Sequence, residues 1–167
     1  MSSNADNYPP LLQPGFHPMT LADIHTLAVL PYEGLSVRRA MIHEGLTKFL
    51  TELSQAGVSA TAWVNGSFVT QKIDPDDCDL VLCCDGVAVD ALPPAVQALL
   101  VKQFKTEKAQ VKVDYHCDAY MLCEFPETDP RHEGGLRVRA YWRGQFGFDH
   151  RDQPKGLAVV TLPLSSP

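Results

Sequence analysis

The stretch Trp63-Val-Asn-Gly-Ser-Phe-Val-Thr-Gln-Lys-Ile-Asp-Pro-Asp-Asp-Cys-Asp-Leu-Val-Leu82 constrains this chain more than any other. One apolar run ends at Gly66-Ser67, and a second begins after Asp77-Cys78-Asp79. In extended backbone alternate side chains share a face, so Asp77 and Asp79 project together while Cys78 and Leu80 point away. Two carboxylates held that close repel each other unless a cation lies between them, and hard divalent ions such as Mg²⁺ prefer all-oxygen sites. The Gly-Ser turn offers approachable backbone, free N–H groups and one hydroxyl, which is what a phosphate needs. A phosphate cradle and a carboxylate pair within one short segment point to nucleotide chemistry.

This arrangement resembles the signature of the nucleotidyltransferase superfamily, the polymerase-beta-like fold. That signature is a hydrophobic residue, Gly, Gly or Ser, a spacer of roughly ten residues, then Asp-hydrophobic-Asp/Glu-hydrophobic. Val64/Asn65-Gly66-Ser67 and Asp77-Cys78-Asp79-Leu80 match it, with Asn65 a mild departure before the glycine. The wider pattern, with Pro14-Gly15-Phe16-His17 upstream and Lys72 and Pro75 inside the segment, is similar to small bacterial proteins carrying this domain. The resemblance implies an α/β (α+β) single-domain palm, a mixed sheet of about four strands flanked by helices. It also implies that Asp77, Asp79 and a third carboxylate on a neighbouring strand hold Mg²⁺ or Mn²⁺. On that reading Gly66 and Ser67 receive the phosphates of a nucleoside triphosphate, whose nucleoside monophosphate passes to an acceptor hydroxyl.

At 167 residues the chain suits one domain whose core needs neither disulfides nor structural metal. Hydrophobic content of 45% with 20% charged residues is that of a globular chain rather than a disordered one. No apolar run reaches bilayer-spanning length and the polar first residues are not a signal peptide, so the expectation is a cytoplasmic protein without a membrane partner. A net charge of −6 argues against a broad nucleic-acid-binding face and leaves local cations to grip one triphosphate. Cys78, Cys83, Cys84, Cys117 and Cys123 all fall in apolar runs and read as small, reduced core residues. His116 with these cysteines lacks a zinc-ligand spacing.

Residues 1–17 are polar and proline-rich and read as a flexible N-terminal segment, with residues 18–167 forming the domain. Thr20 with Asp23 caps a helix to about Leu30, and Ser36 opens a longer one that runs to about Ala56. Ile42, Leu46, Phe49, Leu50 and Leu53 mark its buried side, and Gly57 its stop. Strands are expected over Val58–Asn65, Cys78–Cys84, Val111–Phe125 and Leu157–Leu162. A helix is expected from Pro93-Pro94 through about Lys108, and Leu136–Phe146 slightly favours a helix.

The third carboxylate is read as Asp118, mid-way along the third expected strand, in preference to Asp114 nearer its start, which solvent alone would satisfy. Strand interiors disfavour Asp, so its presence there calls for a reason. Lys72, between the Gly-Ser turn and the Asp pair, is placed to reach phosphates or simply to face water. The Tyr141–Gly156 tail, with Trp142, Arg143, Phe146 and Lys155, offers groups for base stacking and phosphate pairing; Lys155 is the cofactor-binding candidate there. Core packing by Trp142 and Phe146, and a turn at Pro154-Lys155-Gly156, are the competing roles. His116 reads as a hydrogen-bonded structural histidine.

Larger relatives that extend tRNA or modify antibiotics add a helical domain for the acceptor, and too few residues follow the third expected strand for one here. The chain thus resembles the minimal nucleotidyltransferases of bacterial toxin–antitoxin and defence loci, whose acceptor is a partner protein or RNA. The rival reading is a non-catalytic nucleotide- or partner-binding module, antitoxin-like, on the same fold. Such a module has no need to keep a cluster of like charges.

Overall fold

The computed structural model describes residues 8–165, so the first seven residues of the segment read as flexible lie outside the described residues. The chain builds one five-stranded mixed sheet with helices on both faces. Its strands are β1 (Gly15–Pro18), β2 (Ala60–Asn65), β3 (Cys78–Asp85), β4 (Cys117–Glu124) and β5 (Gly156–Leu162), in the order β1-β5-β2-β3-β4. The β1/β5 and β3/β4 pairs are parallel, while β2 runs antiparallel to both β3 and β5. Among the described residues the α-helices are α1 (Leu21–Ala28), α2 (Val37–Gln55), α3 (Gly86–Asp90), α4 (Pro94–Val101), α5 (Lys108–Tyr115) and α6 (His132–Gly147).

Local chemistry sets the element ends. Thr20 accepts from the Asp23 N–H at 3.1 Å, and the Asp23 carboxylate accepts from the Thr20 N–H at 2.8 Å, closing a capping box on α1. Gly57 leaves α2 at φ +84°, where a side chain is strained. The α2 stripe of Ile42, Leu46, Phe49, Leu50 and Leu53 is buried against the sheet. Facing it are Val64 and Ala62 of β2, Cys78, Leu80 and Leu82 of β3, and Cys117 and Ala119 of β4. The opposite parity of the strands carries Trp63, Val81, Cys83, Leu122 and Leu157, which pack with Phe146 of α6. Asp79 and Asp118 share that second parity, on the side covered by α6.

Three expectations require correction. The sheet has five strands, not four. The extra one is the edge strand β1, whose exposed, proline-flanked residues carry no alternation to announce it. The segment Val111–Phe125 is not one strand either: it divides into α5 and β4 at His116, whose φ of +53° is left-handed. Val111, Val113 and Tyr115 mimic a period of two, but Val111 and Tyr115 are also four apart, the helical spacing. The helix uses that pair: Val111 is buried, the Tyr115 ring lies 4.8 Å from that of Phe49, and Val113 is 67% exposed. The helix expected through Lys108 likewise gives way at Lys102 to a π-helical turn, Lys102–Thr106. No described helix is long and apolar enough to cross a membrane.

Candidate active site

Register assembles the site. In the β2/β3 ladder Asn65 lies opposite Asp79, and in the β3/β4 ladder Asp79 lies beside Asp118. Adjacent residues of neighbouring strands point to the same face, so the two carboxylates sit together at one end of the sheet. The chain leaves β2 through Gly66 at φ +84°. A Cβ on Gly66 would lie 2.3 Å from the Asp79 Oδ2, so the glycine is required both by its backbone angle and by the carboxylate packed against it. Ser67 follows as the first residue of a single 3₁₀ turn, Ser67–Val69.

Asn65, the departure from the signature, has a defined task. It is 1% exposed; its Oδ1 accepts from the Gly66 N–H at 2.8 Å, and its Nδ2 donates to the Phe146 carbonyl. One buried amide therefore ties the Gly-Ser turn to the end of α6.

The electrostatics are those of a crowded carboxylate cluster met by lysines. Burial, then the charges of Asp77 and Asp118, push Asp79 up from its ordinary 3.8 to about 6, with Lys155 and Lys112 opposing. Asp77 pairs with Lys112 of α5 at 2.5 Å. That hydrogen bond holds the Lys112 ammonium above its ordinary value. Asp118 pairs with Lys108, one helical turn earlier on α5, and accepts from the Tyr120 hydroxyl at 3.1 Å. The Lys108 Nζ also lies 3.4 Å from the centre of the Tyr120 ring. Burial lowers the Lys155 pKa, with Asp79 and Asp149 opposing.

Asp79 opens onto a cavity of about 930 Å³. Gly66, Ser67, Lys72 and Lys155 line it, together with the aromatic residues Tyr120, Tyr141, Trp142 and Phe148. Lys72 is in the loop between β2 and β3 and pairs with Asp76 at 3.2 Å. Lys155 lies between the isolated Phe148–Pro154 bridge and the start of β5 and faces the cavity. The turn expected at Pro154-Lys155-Gly156 falls earlier, at His150–Asp152, because Pro154 already pairs with Phe148. Phe146 is buried in the core and Trp142 packs against the same cluster and on Tyr120 at 4.3 Å; both also border the cavity.

The structure brings Gly66, Ser67, Lys72, Asp79 and Lys155 to this cavity, with Asp118 beside Asp79. Asp77 faces Lys112 and is not part of the lining. Asp114 is on α5, exposed, accepting from Gln110 at 2.8 Å, which leaves Asp118 as the strand carboxylate. His116 caps α5, and its carbonyl accepts from the Cys78 N–H at 3.0 Å. All five cysteines are free, and Cys78 and Cys117 lie with their sulfurs 3.3 Å apart under the acidic pair.

The donor chemistry suits a hard divalent ion: carboxylate oxygens, those of Asp79 half-buried and ionising reluctantly. Yet among the described residues no three His, Cys, Asp or Glu side chains converge as they stand, because Asp77 and Asp118 are each drawn to a lysine. Sequence reasoning misses Lys108 and Lys112 because the strand-like alternation of Val111–Tyr115 hides α5. Their signal is the i,i+4 spacing of two lysines beside Val111 and Tyr115.

No curated protein matches the chain, and no solved structure does. Residues 4–161 match a family of unknown function, DUF6932, and the chain belongs to that family.

Proposed function

We propose that this protein is a metal-dependent nucleotidyltransferase that moves a nucleoside monophosphate from a nucleoside triphosphate to an acceptor hydroxyl, on a palm of the polymerase-beta-like kind. One observation carries the reading: Asp79 and Asp118 lie side by side in register, with the Gly66-Ser67 turn packed directly on the Asp79 carboxylate. Asp79 and Asp118, joined by Asp77 once Lys112 releases it, are the residues that would hold Mg²⁺ or Mn²⁺. A divalent ion there would neutralise triphosphate oxygens and acidify the acceptor hydroxyl. The chain's own part is positional. The Gly66 backbone admits a phosphate close to Asp79, the Ser67 hydroxyl donates to it, and Lys72 and Lys155 supply positive charge. Tyr141 and Trp142 add to the cavity wall aromatic rings suited to a base. The acceptor is a hydroxyl of a protein, an RNA or a small molecule, in a cytoplasmic toxin–antitoxin or defence setting.

A second reading, a non-catalytic module that holds a nucleotide or a partner, is favoured by one observation: Lys108 and Lys112 already neutralise Asp118 and Asp77. Incubation with each α-labelled nucleoside triphosphate, with Mg²⁺ or Mn²⁺, separates the two. Metal-dependent label transfer or pyrophosphate release that Asp79→Asn abolishes supports the transferase. Nucleotide binding without either product supports the module.

A further inference from the structure

Arg39 is fully buried, on the same stripe of α2 that carries Ile42, Leu46 and Phe49 into the core. A guanidinium does not lose its proton in a protein, so this is a charge taken out of water, and it forms no ion pair among the described residues. Its compensation comes from backbone carbonyls. Nη1 donates to Ala28 at 2.7 Å and to Phe68 at 2.8 Å. Nη2 donates to Thr70 at 2.6 Å and to Lys72, and Nε to Lys72 and Ile73, each at 3.2 Å. The Tyr32 ring lies 3.8 Å from the guanidinium carbon.

All but one of those acceptors belong to the loop that runs from the Gly-Ser turn toward Asp77. The carbonyls of Phe68, Thr70 and Lys72 alternate along the chain, so one planar fork collects every second peptide. Neighbours on α2 extend the grip: Ser36 donates to the Asp74 carboxylate at 2.7 Å, and Arg38 Nε to the Pro75 carbonyl at 3.2 Å. An apolar residue at position 39 would leave the Ala28 and Phe68 carbonyls buried and unpaired, and a lysine has neither the planarity nor the donor count to serve the whole set.

We propose that Arg39 is a positioning residue: it fixes the Phe68–Ile73 loop so that Ser67 and Lys72 meet an anionic phosphate chain entering the cavity beside Asp79. Its effect on turnover rests on the transferase reading, but its effect on loop order and on phosphate affinity does not. Arg39→Lys and Arg39→Ala test it, the second with and without millimolar guanidinium to refill the vacated space.

Amide hydrogen exchange is expected to accelerate at least about tenfold across residues 68–73 in Arg39→Lys, with β3 and β4 as protected as in the wild type. Binding of inorganic tripolyphosphate with Mg²⁺ should weaken about tenfold, and guanidinium should restore both properties in Arg39→Ala. Where turnover is measurable, the loss should fall on KM for the nucleotide with kcat nearly unchanged. Loop protection equal to the wild type, or tripolyphosphate affinity unaltered while the loop is loosened, would overturn the assignment. So would exchange that accelerates equally over the whole sheet, since Arg39 would then serve the fold at large. A wild-type protein that turns over no nucleotide counts against the transferase alone, and the exchange and tripolyphosphate results still decide for or against Arg39.

Discussion

Asp79 offers a test of the site that needs no substrate. Its carboxyl is moved from its ordinary 3.8 to about 6, chiefly by burial and then by the charges of Asp77 and Asp118. The folded protein thus holds this proton more tightly than the unfolded chain, and ionising Asp79 works against the fold. The penalty is absent below about pH 4, grows as the pH rises, and is complete above about pH 6. A shift of roughly two units at about 1.4 kcal/mol each sets it near 3 kcal/mol. Asn is close in shape and carries no charge, so Asp79→Asn should stabilise the protein at pH 7.5 by up to about 3 kcal/mol relative to its effect at pH 4. The assay is urea denaturation with a chelator present, read as the shift in midpoint at constant slope. Any hydrogen bond that the new amide makes or breaks is common to both pH values and cancels, as do the titrations of groups that do not interact with Asp79. A gap between variant and wild type that does not widen from pH 4 to pH 7.5 would refute the argument that Asp79 is a desolvated, repelled carboxylate. Adding Mg²⁺ with a nucleoside triphosphate should then return stability to the wild type at pH 7.5 and not to the variant, because only a folded state that binds the ligand gains from it.

The other predictions concern its neighbours. Gly66→Ala combines a left-handed backbone with a Cβ 2.3 Å from the Asp79 Oδ2, and should cost about 1–3 kcal/mol. The part of that cost due to the carboxylate should vanish when Asp79 is also Ala, while the backbone part remains, a coupling that a double-mutant cycle in urea reads directly. Lys112→Gln frees Asp77 from its ammonium and should tighten Mn²⁺ binding severalfold by calorimetry; unchanged affinity would remove Asp77 from the ligand set. Ser67→Ala should reduce nucleotide turnover by roughly ten- to a hundredfold, the worth of one charge-assisted hydrogen bond, while Asp79→Asn should approach background. Equal severity of the two in folded proteins would give Ser67 more than a phosphate contact.

Helix α2 and the central strands β2 and β3 are legible in the sequence because their length, spacing and flanking residues agree. The α2 stripe fits only a helix, and Gly57 marks its end. Cys78–Asp85 is a short, nearly continuous apolar run, a length that favours a covered strand over a helix. Gly66, Ser67 and Asp79 are legible for a different reason: their residue types are costly or unusual where they stand. The failures lie where two periods coincide or where partners are remote. Val111 and Tyr115 satisfy both the strand and the helical spacing, and only the packing of Tyr115 on Phe49 decides between them. Edge strand β1 is held by backbone pairing to β5, from far along the chain, which no local pattern records. Arg39 is visible only as a charge on an apolar stripe, an anomaly whose partners are carbonyls and therefore have no sequence signature.

The site's dependence on the core runs deeper than support. Side chains along a strand alternate faces, so a slip of one residue between β3 and β4 would carry Asp118 to the buried side. What forbids the slip is the opposite face, where Cys78 and Cys117, Leu80 and Ala119 lie beside each other in register under α2. On the same side α2 also approaches α5 closely: a Cβ on Gly45 of α2 would stand 2.1 Å from the Tyr115 carbonyl at the end of α5. That same approach sets where α5 lies, and hence where Lys108 and Lys112 reach the carboxylates from the other side. The acidic pair and the lysines that answer it are thus held in place by one packed layer, the α2 face of the sheet. A change in that layer's volume acts on the charges above it without touching any of them.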